Sequence, residues 1–271
     1  MIIESLTGIY FSPTGTTKKI MDAIIRGMRL DKVEFIDLTL PKVRDTIKTE
    51  INNDIVLIGV PVYEDRIPKI LLNFLNNLKG NNKPVILVCV YGNIADGITL
   101  NELLQITECN GFKAIGAGAF IGEHSFSTEE VPIAKGRPDY EDLSEAERFG
   151  EEIIGKLKRL NKISSMNFKI PKGKVELMAK VVAENSARMF TSQPIVDREL
   201  CTDCGACVYL CPVGAINQDT LEINEDKCIR CFSCVKRCPK KARKIIYKKK
   251  ILVTNVLKFK SRVKKEVKTY L

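Results

Sequence analysis

Eight of the ten cysteines in this 271-residue chain lie between Cys201 and Cys238. They form two copies of one pattern, C-x2-C-x2-C-x3-C-P. Cys201, Cys204, Cys207 and Cys211 precede Pro212, and Cys228, Cys231, Cys234 and Cys238 precede Pro239. Each cysteine of the second copy stands 27 residues after its counterpart, so the segment is an internal duplication. Three thiolates at such intervals wrap three corners of a cubane while loop amides point at its sulfides. The fourth, beyond a turn set by proline, reaches the other cube. The expected sets are Cys201, Cys204, Cys207 and Cys238 for one [4Fe–4S] cluster and Cys228, Cys231, Cys234 and Cys211 for the second. Structural zinc also uses C-x2-C pairs, but two pairs satisfy it and leave the third cysteine surplus. Two clusters in so small a segment read as an electron path. The start, MIIESLTG, has no basic region followed by an apolar one, so no secretory signal is expected and the expected location is cytoplasmic. In that setting clustered cysteines argue for metal rather than disulfides. Cys89 and Cys109 stand apart and read as small buried apolar residues.

A second stretch with chemistry in it is YFSPTGTTKKI near the start. Ser12, Thr14, Thr16 and Thr17 offer hydroxyls, and Gly15 lets backbone approach closely. A following helix N-terminus would supply free N–H groups and a positive dipole end. These make an anion cradle suited to phosphate, with a ligand-free Ser/Thr-rich N-cap as the plain alternative. GVPVYEDRIP carries Pro61, Val62 and Tyr63, and YGNIADG carries Tyr91, Gly92 and Asn93. With the cradle, these loops could close around a phosphate and a flat, stackable ring. FIGEHSFS holds the only histidine, His124, a candidate proton donor near such a ring, although a lone loop histidine is more often solvated or pinned to backbone. No paired-carboxylate or Ser/Cys–His arrangement suggests hydrolysis. No G-x-G-x-x-G follows the first strand, which argues against a nicotinamide dinucleotide there.

The elements that must position these residues follow from apolar patterning. Strands are expected at Leu6–Phe11, Val33–Leu38, Asp54–Val60, Val85–Tyr91 and Ala114–Ile121, nearly continuous in apolarity as strands covered on both faces are. Helices are expected at Thr16–Met28, Pro68–Leu78, Leu100–Cys109 and Leu143–Leu160. Alternating strands and helices imply an α/β doubly wound parallel sheet, whose ligands sit off the carboxyl ends of the strands. Asn161–Leu200 reads as a connector, with a turn at Ile170–Gly173 and a helix at Val175–Phe190 that should dock on its neighbours. No apolar run reaches the length of a membrane helix.

Two families are legible in these residues. The segment from Cys201 to about Ala242, including CPVGAI and CPKKAR, resembles the bacterial two-cluster ferredoxins, which implies two [4Fe–4S] clusters and low-potential one-electron chemistry. Residues 1–160 resemble flavodoxin. SPTGTT matches that family's S/T-x-T-G-x-T phosphate loop at Ser12, Thr14, Gly15 and Thr17. The resemblance implies strand order 2-1-3-4-5 and FMN, with the two later loops flanking the isoalloxazine. Gly8 stands where the motif prefers a branched aliphatic and Met21 where it prefers alanine. Tryptophan is absent, so stacking falls to Tyr63 and Tyr91. The whole chain is similar to flavodoxin–ferredoxin fusions of anaerobic prokaryotes, in which GVPVY, YGN, GEHSFS and KGRPD recur as phrases.

The expected organisation is an FMN domain over 1–160, a helical connector over 161–195, a small α+β two-cluster domain over 196–247 and a basic amphipathic tail over 248–271. The net charge of +10 belongs to the tail end. Residues 239–271 carry thirteen Lys or Arg against Glu266 alone, which leaves the rest of the chain slightly acidic. Val256, Phe259, Val263 and Val267 share a helical face that should pack back onto the protein, dock an acidic redox partner or, less simply, meet an anionic membrane. The expected function is single-electron passage between the clusters and FMN. A flavin-dependent reductase of a small substrate, with His124 or Tyr91 as proton donor, is the alternative. A redox-sensing regulator with its tail on nucleic acid is a third.

Overall fold

The computed structural model describes residues 3–46, 50–159, 168–174 and 187–271. Five strands, β1 (Ser5–Tyr10), β2 (Lys32–Asp37), β3 (Ile55–Pro61), β4 (Pro84–Tyr91) and β5 (Lys113–Ile121), pair in parallel in the order 2-1-3-4-5. Every strand boundary falls within one residue of the run expected from apolarity. β3 and β4 are buried almost end to end, because helices cover both faces of the sheet. One face packs α1 (Thr16–Met28) and α5 (Tyr140–Arg159) through Ile20, Ile24, Phe149 and Ile153. The other packs α3 (Leu72–Asn77), entered through a 3-10 turn at Lys69–Leu71, and α4 (Thr99–Cys109) through Phe74, Leu75 and Leu103. A short helix that apolar periodicity did not announce, α2 (Pro41–Thr46), follows β2. Cys89 is buried in the core, whereas Cys109 at the end of α4 is exposed, contrary to expectation.

The loops that follow β1, β3, β4 and β5 all leave from one end of the sheet, as parallel pairing requires. Against that end sits the cysteine-rich region. It contains α6 (Ala187–Phe190), a two-strand ribbon of β6 (Ile195–Val196) and β7 (Arg243–Lys244), and two one-turn helices, α7 (Ala206–Tyr209) and α8 (Ser233–Lys236). The helix expected at Val175–Phe190 is described only over Ala187–Phe190; the remainder lies outside the described residues. Ile170–Gly173 forms no turn. It runs along the start of α4, where the Asn101 amide donates to the Pro171 carbonyl and accepts from the Gly173 N–H.

The tail departs most from expectation. Its helix α9 spans Lys250–Ser261 and stops short of Val263 and Val267. The Asn93 amide, in the loop after β4, donates to the carbonyls of Ser261 and Val263, each at 2.9 Å, and accepts from the Lys265 N–H at 2.9 Å. It thereby takes up carbonyls left over at the helix end and turns the chain. Residues 268–270 then form β8 (Lys268–Tyr270), antiparallel to β5 with Gly118 opposite Thr269. The two sheet edges are thus managed differently: β2 is open and half polar, while β5 is covered by the tail. The inner face of α9 is Val253, Thr254 and Leu257, so Val256 and Phe259 face solvent. Among the described residues no helix is long and apolar enough to cross a membrane.

Asn93→Ala leaves two part-buried carbonyls and an N–H without their partner. It should destabilise the protein by about 2 kcal/mol and speed hydrogen exchange across residues 262–270. Unchanged exchange in that segment would mean the amide does not hold the tail.

Candidate functional site

The eight clustered cysteines ring two hollows of nearly equal size, ≈ 330 and ≈ 320 Å³. Cys201, Cys204, Cys207 and Cys238 line the first; Cys228, Cys231, Cys234 and Cys211 line the second. Each hollow takes three cysteines from one copy of the repeat and the fourth from the other. The backbone repeats as closely as the sequence. Left-handed residues recur 27 positions apart at Asp203 and Arg230, Gly205 and Phe232, and Gly214 and Lys241. The second copy therefore holds Phe232 and Lys241 where the first uses glycine, a conformation that costs a side-chain-bearing residue about 1–2 kcal/mol. Loop amides aim at sulfur in matched fashion: Ala215 N–H donates to Cys211 Sγ at 3.2 Å and Ala242 N–H to Cys238 Sγ at 3.3 Å.

The donor set fits cubane clusters. Four soft thiols surround each void, with N–H groups turned to the sulfurs. Among the described residues no three His, Cys, Asp or Glu side chains are gathered to hold a single metal ion. Burial pushes the Cys234 thiol up to about 12, with Arg243 working against it, and pushes Cys231 well above its ordinary value. Thiolates so placed require a cationic core to hold them.

The loop after β1 forms an open cradle. Ser12 anchors it, donating its N–H to Thr39 Oγ1 and accepting the Lys18 N–H on Oγ, each at 3.0 Å. Gly15 adopts φ +90° at the N-cap of α1, where a side chain would be strained, and a Cβ there would meet nothing within 4 Å. Ser12 Oγ thus takes one N–H of the first helical turn, which holds no acid. Among the described residues the N–H groups of Thr14, Thr16 and Thr17 have no acceptor, and the Thr14 and Thr16 hydroxyls stand 3.5 Å apart. Free donors at a positive dipole end fit a phosphate.

The two later loops differ in access. After β3, Pro61 and Val62 lead into a tight turn in which Tyr63 and Arg66 exchange backbone hydrogen bonds. Tyr63 packs edge-on against Phe11, and burial together with the charge of Cys231 raises its phenol pKa. It does not line the second hollow, although the charge of Cys231 there reaches it. After β4 the tail intervenes. Tyr91 is 2 % exposed with its hydroxyl 3.5 Å from the Glu266 carbonyl, Gly92 lies under the His124 ring, and Asn93 is spent on the tail. Of the three loops expected around a ring, the third is thus roofed by residues 261–266.

Several side chains to which the motifs gave no weight join the two regions. Buried Ser233, in the second cysteine repeat, donates its hydroxyl to the Pro13 carbonyl of the cradle at 2.7 Å. Arg44 on α2 donates to the Pro212 carbonyl at 2.6 Å while bonding Leu38 and Thr39 in its own loop. Lys236 reaches Glu123 at 2.5 Å and the Ser127 carbonyl at 2.6 Å. His124, Phe126 and Phe232 stack edge to face with centroids 5.1 and 5.3 Å apart. Tyr247 donates to the Phe126 carbonyl. The only sequence cue was their position beside the motifs.

His124 belongs to this join. Its Nδ1 accepts the Phe126 N–H at 3.0 Å, so the neutral ring carries its proton on Nε2. Burial, reinforced by the charge of Lys236, lowers its pKa to about 4.

Family models divide the chain at the same place. One described as a flavodoxin domain matches residues 9–162, more than half of the chain, and one described as a 4Fe-4S dicluster domain matches residues 193–254. The cysteine-rich part is 40 % identical over 55 residues to pyruvate synthase subunit PorD of Methanothermobacter marburgensis, covering 20 % of this chain and 67 % of that one. It is 41 % identical over 51 residues to a ferredoxin of Pyrobaculum islandicum, covering 18 % and 48 %. The chain thus spans about two thirds of the first relative and about half of the second. A solved flavodoxin from the domain Archaea aligns at 16 % identity and a TM-score of 0.43, over 57 % of this chain and 99 % of that one.

Because the folded His124 titrates below its unfolded value, the native protein binds fewer protons between pH 6.5 and about 4. The stability it contributes is complete above pH 6.5 and is lost as the pH falls toward 4, up to about 3 kcal/mol. His124→Asn, which keeps an acceptor for the Phe126 N–H, should flatten denaturant stability across that window. An unchanged slope would remove His124 as its source.

Proposed function

Since the chain belongs to the flavodoxin domain family and continues into a 4Fe-4S dicluster domain, we propose that it passes single electrons between two [4Fe–4S] clusters and an FMN. The observation that carries this reading is the hydrogen bond from Ser233, which lines the second hollow, to Pro13 in the phosphate cradle. It ties a cluster-binding loop to a flavin-binding loop within one chain. When bound, FMN supplies one- or two-electron capacity and each cluster supplies one.

The chain's own residues divide the work. Ser12 shapes the cradle, and the backbone and hydroxyls of Thr14, Gly15, Thr16 and Thr17 take the phosphate. Pro61, Val62 and Tyr63 would hold the ring from the loop after β3, and Tyr91, Gly92 and Asn93, under the tail, would exclude water from it. The eight cysteines hold the clusters in the crossed sets. Domains at 1–160, 161–195, 196–247 and 248–271 follow the same division. A cytoplasmic setting is part of the same reading.

A docking face for the electron partner is part of the proposal. α9 turns Leu252, Val256 and Phe259 to solvent, with Lys258 and Arg262 alongside. Its inner Leu257 packs on the Phe126–Phe232 cluster beside the second hollow. An acidic redox protein with an apolar centre suits that face, with charge steering the encounter. A substrate-reducing flavin gains nothing from His124, whose Nδ1 is already engaged and whose ring stays neutral at ordinary pH.

Gly15→Leu should weaken FMN binding at least tenfold while iron content is kept, and Cys204→Ala should lose iron from the first hollow while FMN is kept. Flavin and iron counting on anaerobically purified protein, with circular dichroism for the fold, checks both. If either substitution removed both cofactors from folded protein, the modular scheme would be wrong.

A further inference from the structure

The duplication supplies an internal control for the environment of each cluster. A shift of 27 residues carries the lining of one hollow onto the other, cysteine onto cysteine and Ala242 onto Ala215. Five equivalent positions change in kind. Gly205 and Ala206 of the first hollow are replaced by Phe232 and Ser233 in the second. At the other three, Thr202, Lys240 and Arg243 line the first hollow where Ile229, Val213 and Ile216 line the second. Only the first lining holds cationic side chains.

Arg243 matters most of the three. It is 3 % exposed, its Nη2 donates to the Leu221 carbonyl at 2.5 Å, and its equally buried Nε has no acceptor. A guanidinium keeps its charge even when buried, and a buried N–H left unmatched is unfavourable. An anionic sulfur surface in the first hollow would meet both needs. Other charges nearby do not supply the match. Asp203, 3.7 Å from Cys201 Sγ, is exposed and paired with Arg198 at 3.2 Å. Arg230, also buried and with its Nε and Nη1 unmatched, pairs with Glu225 through Nη2 and lines neither hollow.

We infer that Arg243 holds the two clusters at different reduction potentials, with the cluster in the first hollow the higher. Each added electron makes a thiolate-ligated cluster more negative. A buried cation with a free N–H stabilises the reduced form, while an aliphatic wall opposes it. Lys240 adds to the effect at the rim. Arg243 lines the first hollow and not the second. Electrons in the dicluster domain therefore settle in the first hollow, and the gradient runs outward from the second hollow, which adjoins the flavodoxin loops. The inference rests on the electron-transfer reading and adds a direction to it.

The test is an anaerobic dithionite titration of the holoprotein followed by electron paramagnetic resonance. Two resolved midpoints are expected in the natural protein. Arg243→Met should lower the upper one by about 59 mV or more, a tenfold loss of electron affinity, with a smaller fall in the lower. Arg243→Lys should keep most of the separation. Lys240→Met, at an exposed position that does not threaten folding, should give a smaller fall in the upper midpoint. Should Arg243→Met fail to assemble its clusters, Arg243→Lys and Lys240→Met decide. Coincident midpoints in the natural protein, or unmoved midpoints in iron-replete variants, overturn the inference and leave electron transfer standing. Protein that binds no iron–sulfur cluster overturns both.

Discussion

Ser233 has no exposed surface, and its hydroxyl must find acceptors inside the protein. It finds the Pro13 carbonyl in the loop after β1, with the Leu210 carbonyl of its own region at 3.2 Å. A buried hydroxyl without such partners would be strongly unfavourable, so the position of the cysteine repeat against the sheet is set to within hydrogen-bond tolerance. The contacts around it agree. Arg44 grips the turn after Cys211, Lys236 grips the loop after β5, and Phe126 meets Phe232 at the hollow's wall. Each of these links a cluster-binding loop to a strand-end loop. The fold's ordinary ligand-binding edge is therefore the surface on which the dicluster region sits.

That placement explains the tail. The loop after β4 would face solvent if the sheet ended at β5. Instead Asn93 captures the end of α9, the chain crosses Tyr91, and β8 closes the sheet edge. The apolar residues of the tail divide accordingly. Val267 packs into the sheet's core, Leu257 packs under α9, and Val256 and Phe259 remain outside. A stripe that periodicity assigns to one helix is divided between a helix, which holds Val256 and Phe259, and the crossing segment before β8, which holds Val263 and Val267.

The legible parts of the molecule were those whose cause is local. Nearly continuous apolar runs located β1, β3, β4 and β5, because strands covered on both faces need apolar residues throughout; β2, at the open edge, showed itself through Val33, Phe35 and Ile36 among polar residues. The cysteine intervals stated the two hollows, because a cube's corners set the spacing. Illegible features depended on residues far apart in the chain. Asn93 looks like a polar loop residue until Ser261 and Val263 arrive beside it, and nothing local stops α9 at Ser261. α2 is too short for periodicity to register, so Arg44 had no helix to stand on. Ser233 occupies the position of Ala206 in the first repeat, and only the docked structure gives its hydroxyl a purpose. The substitution of Ile216 by Arg243 across the repeat was readable, but its burial was not.

Close joining of the two halves is the claim from which the functional account follows, and its kinetic consequence is direct. An electron introduced rapidly at the clusters by pulse radiolysis should appear on the flavin at a rate independent of protein concentration, since donor and acceptor share one chain and one interface. A rate that rises in proportion to protein concentration would mean that the halves exchange electrons only between molecules, and would contradict the account.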